Sequence, residues 1–210
     1  MAHRHGAIVI DDLGSGALLP TERYGLSHEP MPSERLSAGS GIVTFSGDKL
    51  VGGPQAGFVV GRADLVARMR RDPLARAMRP DKVTLAAVAA TLGLYRGGRA
   101  ESEIPVWRMI ATPVDELEAR ARRIEAELGG RAGAVATLAT VGGGSLPGET
   151  LPSHGLAIAG RAHQIVDRLR VGEPSVIGRI VDGRVVLDLR TVEPGRDAEL
   201  TQAILDALRS

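Results

Sequence analysis

The segment with the clearest chemical potential is Phe45 to Lys49, Phe-Ser-Gly-Asp-Lys, which ends an apolar run and leads into a glycine-rich turn. A lysine in this position lies at the edge of an α/β sheet, where open sheets bind ligands. Its amine can form a Schiff base with a carbonyl compound. The Ser46 hydroxyl, three positions earlier, is suited to donating to a cofactor phosphate. A solvated lysine in a strand-connecting turn also explains this spacing.

Lysine is rare in this chain. Of 26 basic residues only Lys49 and Lys82 are lysines, and arginine holds the other positions. Guanidinium is effectively never deprotonated, whereas a desolvated lysine amine becomes nucleophilic. The retained lysines are therefore candidates for amine chemistry, although codon bias alone explains the same count.

A carboxylate follows an earlier apolar run. Asp12 comes after Ile8 to Ile10 and before the turn Leu13-Gly14-Ser15-Gly16. Pyridoxal 5'-phosphate (PLP) needs a carboxylate against its pyridine nitrogen, because a protonated nitrogen makes the ring an electron sink. Asp11 is the competing choice, and each aspartate taken singly is also a typical turn or cap residue. An aspartate after one strand and a lysine after the next together meet the needs of a PLP site on a parallel sheet.

The first half of the chain has the pattern of an α/β sheet. Continuous apolar runs predict buried strands at 7–10, 41–45 and 56–60. Helical periodicity follows at 63–71 and 82–94, and strands with helices beside them are typical of an α/β layer.

A second region, with an α+β pattern, begins near residue 104. Thr112 and Pro113 predict the N-cap and first residue of a helix that ends at Gly129. Strands are expected at 134–140, 155–159, 175–180 and 184–189, and helices at 162–169 and around 200–208. Asp182-Gly183 predicts a tight hairpin. We therefore expect two domains, 1–103 and 104–210.

Composition narrows the function classes. The chain has no cysteine and a formal net charge of +1, which excludes disulfides and thiolate sites and gives no overall attraction to nucleic acid. No apolar run reaches transmembrane length and no signal-peptide order is present, so a cytoplasmic protein without membrane contact is expected. No histidine pair has metal-ligand spacing, and no metal site is predicted.

Five segments, in order, resemble bacterial selenocysteine synthase, the L-seryl-tRNA(Sec) selenium transferase family. These segments are Asp12 to Gly16, Phe45 to Gly57, Asp72 to Ala87, Gly142 to Pro147 and Ile177 to Arg190. The resemblance covers nearly the whole chain, and it implies the C-terminal part of a fold type I PLP enzyme: part of the large domain followed by a small α+β domain.

The resemblance also implies site residues and a reaction. Lys49 matches the internal aldimine lysine and Asp12 the pyridinium partner. Seryl-tRNA(Sec) would lose its α-proton and hydroxyl to give an aminoacrylyl intermediate, to which selenium from selenophosphate adds. The complete protein would be a homo-oligomer. The family's N-terminal tRNA-binding domain and the first half of its cofactor domain have no counterpart here, so we expect a truncated chain with little transferase activity alone.

Weaker candidates surround this core. Arg179 precedes the hairpin and is a candidate for substrate or selenophosphate contact, although an exposed strand arginine is an equal explanation. Backbone amides from Gly142 to Ser145 offer an anion site, with Ser145 as a substrate-binding candidate, or form only a surface loop. Five arginines are candidates for tRNA phosphate contacts or for a solvated helix face: Arg68, Arg70, Arg71, Arg76 and Arg79.

Two other functions stay open. A related PLP lyase acting on a small amino acid or amino sugar would use the same elimination chemistry. A non-catalytic fragment that packs on a full-length paralogue is the third possibility.

Overall fold

The computed structural model describes residues 5–209, which form two compact units. The first contains the chain up to Ala111 together with Val141–Glu149, and the second contains Thr112–Thr140 and the chain from Thr150. The sequence predicted the boundary between residues 103 and 104. In the structure it falls after Ala111, so residues 104–111 belong with the first unit. The buried Trp107 explains this difference, because its indole binds a backbone carbonyl of that unit.

The first unit has a three-stranded sheet and several helices. The strands are β1 (Ile10–Gly14), β2 (Ile42–Ser46) and β3 (Gly57–Gly61), in the order β1-β2-β3. The helices are α1 (Pro32–Ser37), α2 (Ala63–Arg71), α3 (Pro73–Ala77), α4 (Lys82–Arg96), α5 (Ala100–Glu103) and α6 (Pro105–Ala111). β1 pairs with β2 in parallel, whereas β3 runs antiparallel to β2.

The position of β1 corrects the sequence-based prediction. The strand was expected at 7–10 with the aspartates after it, but the parallel ladder starts at Ile10 and pairs Asp11 with Val43 and Asp12 with Thr44. Asp12 therefore lies within the strand. The ladder continues past a register shift between Asp12 and Gly14, after which Gly14 pairs with Phe45.

The two faces of this sheet differ. Val43 and Phe45 point to one face, where they form a core with Val51. Alternate residues of a strand share a face. The other face therefore carries the apolar Ile10, Ile42 and Val59 and, toward the end of β2, the polar Asp12, Thr44 and Ser46. β1 and β3 alternate between half-buried and exposed positions, unlike the continuously buried strands that were expected.

Aspartate caps set two helices of the first unit. The Asp72 carboxylate accepts from Leu74 N at 2.9 Å at the start of α3, and that of Asp81 accepts from Thr84 N at 2.8 Å at the start of α4. Such caps satisfy amides that have no partner within the helix. α2 has the predicted bounds, and α4 extends two residues beyond its predicted end.

The second unit is an antiparallel sheet with helices. Its elements are α7 (Val114–Leu128), β4 (Gly133–Thr140), β5 (Thr150–Ile158), α8 (Ala162–Val171), β6 (Arg179–Val181), β7 (Arg184–Asp188) and α9 (Asp197–Leu208), with strand order β4-β5-β7-β6. Its core joins one face each of α7, α8 and α9 to β5 and β7. This arrangement matches the α+β pattern of the sequence.

Three local predictions in this unit meet different outcomes. The hairpin is confirmed: Asp182 and Gly183 have φ of 50° and 73°, as in a type I′ turn. The N-cap of α7 is Pro113, one residue later than predicted. The strand expected at 175–180 is shorter, because Val176 N instead donates to Leu169 O at 2.7 Å at the end of α8.

Across residues 5–209, no helix combines the length and apolarity needed to cross a membrane.

Candidate active site

The site is built around the turn that follows β2 and holds Lys49. Gly47 N donates to Ala56 O at 2.8 Å, and Gly53 N donates to Gly47 O at 2.8 Å, so the turn is closed at its base. Gly52 N donates to the carbonyl of Lys49 itself at 2.9 Å. The lysine backbone is therefore fixed, and its half-buried side chain extends from a defined point.

Two aromatic residues hold the same turn from the helical side. Trp107 Nε1 donates to Leu50 O at 2.7 Å, and the Tyr95 hydroxyl lies 3.1 Å from Leu50 O and 3.0 Å from Val51 O. Burial raises the pKa of Tyr95 to about 12, so its hydroxyl keeps its proton at neutral pH. Sequence analysis missed both residues. The one available signal was their rarity: aromatic residues make up only 2% of the chain, so each of them could have been singled out as a candidate for a specific role.

Glycines permit close packing around the turn. Gly16 has φ of 69°, and a Cβ there would lie 2.6 Å from Ser46 O. Gly52 has φ of 72°, and a Cβ there would lie 2.3 Å from Ile104 Cγ2. Both positions combine left-handed backbone with contact distances that exclude a side chain, so glycine is needed at each.

The Lys49 amine lies beside two further glycines. A Cβ at Gly14 would be 3.8 Å from Lys49 Nζ. A Cβ at Gly144 would be 3.5 Å from Nζ and 3.0 Å from Cε. The predicted lysine, the end of β1 and the Gly142–Ser145 segment therefore meet in the first unit.

The two aspartates of β1 have different surroundings. The Asp12 carboxylate is exposed and accepts from Thr44 Oγ1 at 2.8 Å, on the sheet face that also carries Ser46. The Asp11 carboxylate accepts from the hydroxyl of the buried Ser40. Asp11 is thus engaged in packing, and Asp12 is the aspartate on the side of the predicted phosphate donor.

The serines of the site also differ. Ser46 is the last residue of β2 and is half-buried. Ser15, which sequence analysis quoted only within its motif, is 2% exposed, and its Oγ has no hydrogen-bond partner among residues 5–209. A buried hydroxyl without a partner costs roughly 1–3 kcal/mol, so such a group calls for a functional or structural explanation.

The remaining candidates are placed as follows. Ser145 is 7% exposed and belongs to the segment that contacts Lys49. Arg179 lies in the second unit, where it donates to Thr137 Oγ1 and to Leu138 O and lies 3.8 Å from an Asp188 carboxylate oxygen. These contacts occupy its guanidinium within its own sheet.

The five arginines proposed for RNA contact are exposed. Three of them lie on α2 and one on α3. No group of three or more acidic or histidine side chains suited to a metal ion occurs in the described part of the chain.

The chain is similar to known proteins along most of its length. The family model described as SelA, L-seryl-tRNA selenium transferase, matches residues 1–193. The L-seryl-tRNA(Sec) selenium transferase of Rhizobium meliloti is 44% identical over 202 residues, covering 90% of this chain and 43% of that protein. The enzyme of Moorella thermoacetica is 44% identical over 218 residues, covering 99% of this chain and 46% of that protein.

A solved structure gives the fold. D-Glucosaminate-6-phosphate ammonia-lyase matches with a TM-score of 0.60 at 20% identity, covering 98% of this chain and 50% of that one. The likeness confirms the predicted α/β fold of the fold type I class.

The chain spans less than half the length of the curated relatives named above. The family model nevertheless matches most of its residues, and the motifs around Lys49 and Asp12 lie within the matched range. The chain belongs to the L-seryl-tRNA selenium transferase family.

Proposed function

We propose that this chain supplies the lysine-bearing part of a PLP site that converts L-seryl-tRNA(Sec) to L-selenocysteinyl-tRNA(Sec) with selenophosphate. The observation that supports this most is the Lys49 amine beside Gly14 and Gly144, at the end of a parallel strand pair. Family membership supplies the substrate class.

The residues present fit the cofactor. Lys49 would hold it covalently, and the Asp12 carboxylate, on an open face beside Thr44, would contact the ring nitrogen. Ser46, the last residue of β2, would donate its hydroxyl to the phosphate. The Ser15 hydroxyl is buried without a partner among the described residues, within the β1 turn that contacts Lys49, and is a second candidate donor.

The chemistry divides between cofactor and chain. When bound, PLP would supply the electron sink that lets the seryl group lose its α-proton. Lys49 Nζ, once free, would take that proton and return one to the departing hydroxyl, because a positioned amine can act as general base and then as general acid. Ser145, which is buried and follows Gly144, and Arg179 remain candidates for contacts to the substrate or selenophosphate.

The first unit has an open apolar face that argues for a further polypeptide. A groove of about 860 Å³ runs between the sheet and the helices α2 and α3. Ile10, Leu74 and Met78 on its walls are 66%, 68% and 76% exposed. β1, which contains Ile10, is an edge strand of the sheet. An edge strand beside exposed apolar surface is a site for association or aggregation.

We propose that the part of the family fold outside this chain covers this face. On this proposal the chain alone is inactive, and the completed protein is a cytoplasmic homo-oligomer that binds seryl-tRNA(Sec). The exposed arginines of α2 and α3 are candidates for contacts to tRNA phosphates.

The alternatives predict different results. The 44% identity to proteins named as transferases favours selenium transfer over a lyase reaction on an amino acid or amino sugar. The open apolar face favours, as a second candidate, a non-catalytic fragment that packs on a full-length paralogue.

The test is covalent trapping followed by complementation. The purified chain is incubated with PLP, reduced with borohydride and mapped by mass spectrometry, with Lys49→Arg and Lys82→Arg variants as controls. We expect the adduct on Lys49 rather than Lys82. Co-expression with the unmatched half of the Moorella relative should then restore selenocysteinyl-tRNA formation. No preference for Lys49 in the chain alone or in the complemented protein would overturn the proposal in favour of the non-catalytic fragment.

A further inference from the structure

We propose that Gly144 is a positioning residue for Lys49, a role that rests on the function proposed above for that lysine. The missing side chain at position 144 leaves the space through which the Lys49 side chain reaches the turn at the end of β1. A methyl group at this position would displace the amine.

The distances make this role specific to one glycine. A Cβ at Gly144 would lie 3.0 Å from Lys49 Cε and 3.2 Å from Cδ, tighter than nine in ten real Cβ contacts. At the neighbouring Gly143, a Cβ would meet no atom within 4 Å. Neither glycine has a φ in the left-handed region, so alanine is free of backbone strain at both. Gly144 and Gly143 therefore differ in one respect: only a side chain at position 144 would contact Lys49.

The segment that carries Gly144 is held in place. Leu146 is 5% exposed and has φ of 49°, a left-handed conformation that a leucine adopts only when its surroundings impose it. Glu149 N donates to Leu146 O at 3.0 Å. The Glu149 carboxylate accepts from Ser27 N at 3.2 Å and from Ser27 Oγ at 2.8 Å. The lysine side chain is the more mobile of the two contacting groups, so it is the group expected to move.

The second neighbour of the Lys49 amine, Gly14, shows why its position matters for the reaction. Lys49 Nζ lies 3.8 Å from the Cβ position of Gly14, so the amine is placed beside the motif that carries Asp12 and Ser15. The Cβ contacts at 3.0 and 3.2 Å require the lysine chain to move by a few tenths of an ångström. Since a misplacement of about 1 Å can reduce the rate of a positioned group on the order of 100-fold, a shift of this smaller size should cost severalfold. Gly144 therefore acts on the reaction through the path of the Lys49 side chain.

The first experiment compares the two lysines within one molecule. Gly144→Ala and the matched control Gly143→Ala are treated with PLP and borohydride, and the ratio of Lys49 to Lys82 adduct is measured by mass spectrometry. The exposed Lys82 serves as an internal reference. We expect the ratio to fall about threefold or more in Gly144→Ala and to stay at the parent value in Gly143→Ala. Equal ratios in both variants would overturn the role of Gly144.

A second experiment needs no cofactor and separates the two proposals. Gly144→Val is made in the parent chain and in a Lys49→Ala background, with Gly143→Val as control, and thermal unfolding midpoints are compared. If the valine clashes with the lysine, it lowers the midpoint less once that side chain is gone. Should neither the parent chain nor the complemented protein show a Lys49 adduct, the proposed function fails, and the role of Gly144 is decided by the unfolding midpoints. A smaller shift in the Lys49→Ala background supports that role, and an equal shift refutes it.

Discussion

Trp107 Nε1 donates a hydrogen bond of 2.7 Å to the carbonyl of Leu50, the residue directly after Lys49. The indole is fully buried, and the Tyr95 hydroxyl reaches the same carbonyl at 3.1 Å. The lysine turn is therefore fixed from α4 and α6, elements that lie some 45 and 57 residues further along the chain. This long-range bracing makes the lysine backbone part of the core of the first unit.

We expect the two donors to substitute partly for one another. Trp107→Phe and Tyr95→Phe should each lower the free energy of unfolding by about 1–2 kcal/mol, because one donor still reaches Leu50 O in each case. The double variant leaves that buried carbonyl without either donor. Its free energy of unfolding should therefore be lower by roughly 1–3 kcal/mol more than the sum of the two single losses. Urea unfolding of the four proteins measures this coupling, and strictly additive losses would contradict it.

The glycine-rich turn should tolerate no side chain at Gly52. Gly52→Ala combines a left-handed φ of 72° with a Cβ 2.3 Å from Ile104 Cγ2. Gly98→Ala is the matched control, since its φ is 66° and a Cβ there would meet no atom within 4 Å. Backbone strain of about 1–2 kcal/mol is common to both, and the clash should add about 1–3 kcal/mol at position 52 alone. Similar unfolding midpoints in the two variants would contradict this.

Local chemistry made much of this structure predictable. The apolar run before Lys49 predicted β2 to within one residue, and the Asp-Gly pair predicted the hairpin, because both depend on neighbours in sequence. The register of β1 was not predictable, since pairing with β2 carries that strand through two aspartates that have low strand propensity. The contact between Gly144 and Lys49 also escaped, because it joins segments about ninety-five residues apart that share no pattern.

Tyrosine ionisation should report on the first unit. Burial and the hydrogen bond to Glu101 raise the pKa of Tyr24 to about 12, and burial raises that of Tyr95 to about 12. The folded chain therefore holds protons that the unfolded chain releases near the ordinary value of 10.0. Stability from these groups is fully present below pH 10 and is lost as the pH rises toward 12. Ultraviolet titration of phenolate, native and in urea, checks this, and two coincident curves would contradict it.

In the second unit, the buried Arg120 should dominate over exposed ion pairs. Its guanidinium is 3% exposed and binds Asp197 at 2.6 Å as well as the carbonyls of Leu189 and Val192. Arg120→Ala leaves the Asp197 carboxylate and the carbonyls without this donor and should cost about 3–5 kcal/mol. Arg122→Ala is the control, because solvent screens that exposed pair with Glu118 and its loss should change the free energy of unfolding little. Urea unfolding distinguishes the two, and comparable losses would refute the ranking.

Ser15 offers the sharpest test of how the phosphate of the proposed cofactor would be held. Its Oγ is buried and has no hydrogen-bond partner within residues 5–209, so Ser15→Ala removes an unsatisfied group. The free energy of unfolding of the empty chain should therefore change by less than about 0.5 kcal/mol or rise. If the hydroxyl donates to the phosphate, the same change weakens binding of PLP by about 10- to 100-fold, since a hydrogen bond to a charged group contributes roughly 1.5–3 kcal/mol. Binding of pyridoxal, which lacks the phosphate, should be unchanged. Spectroscopic titration with each compound distinguishes the possible roles. An equal loss of affinity for PLP and pyridoxal would mean that Ser15 acts on the ring or the turn and not on the phosphate. A lower free energy of unfolding with unchanged affinity for both would mean that Ser15 serves packing alone.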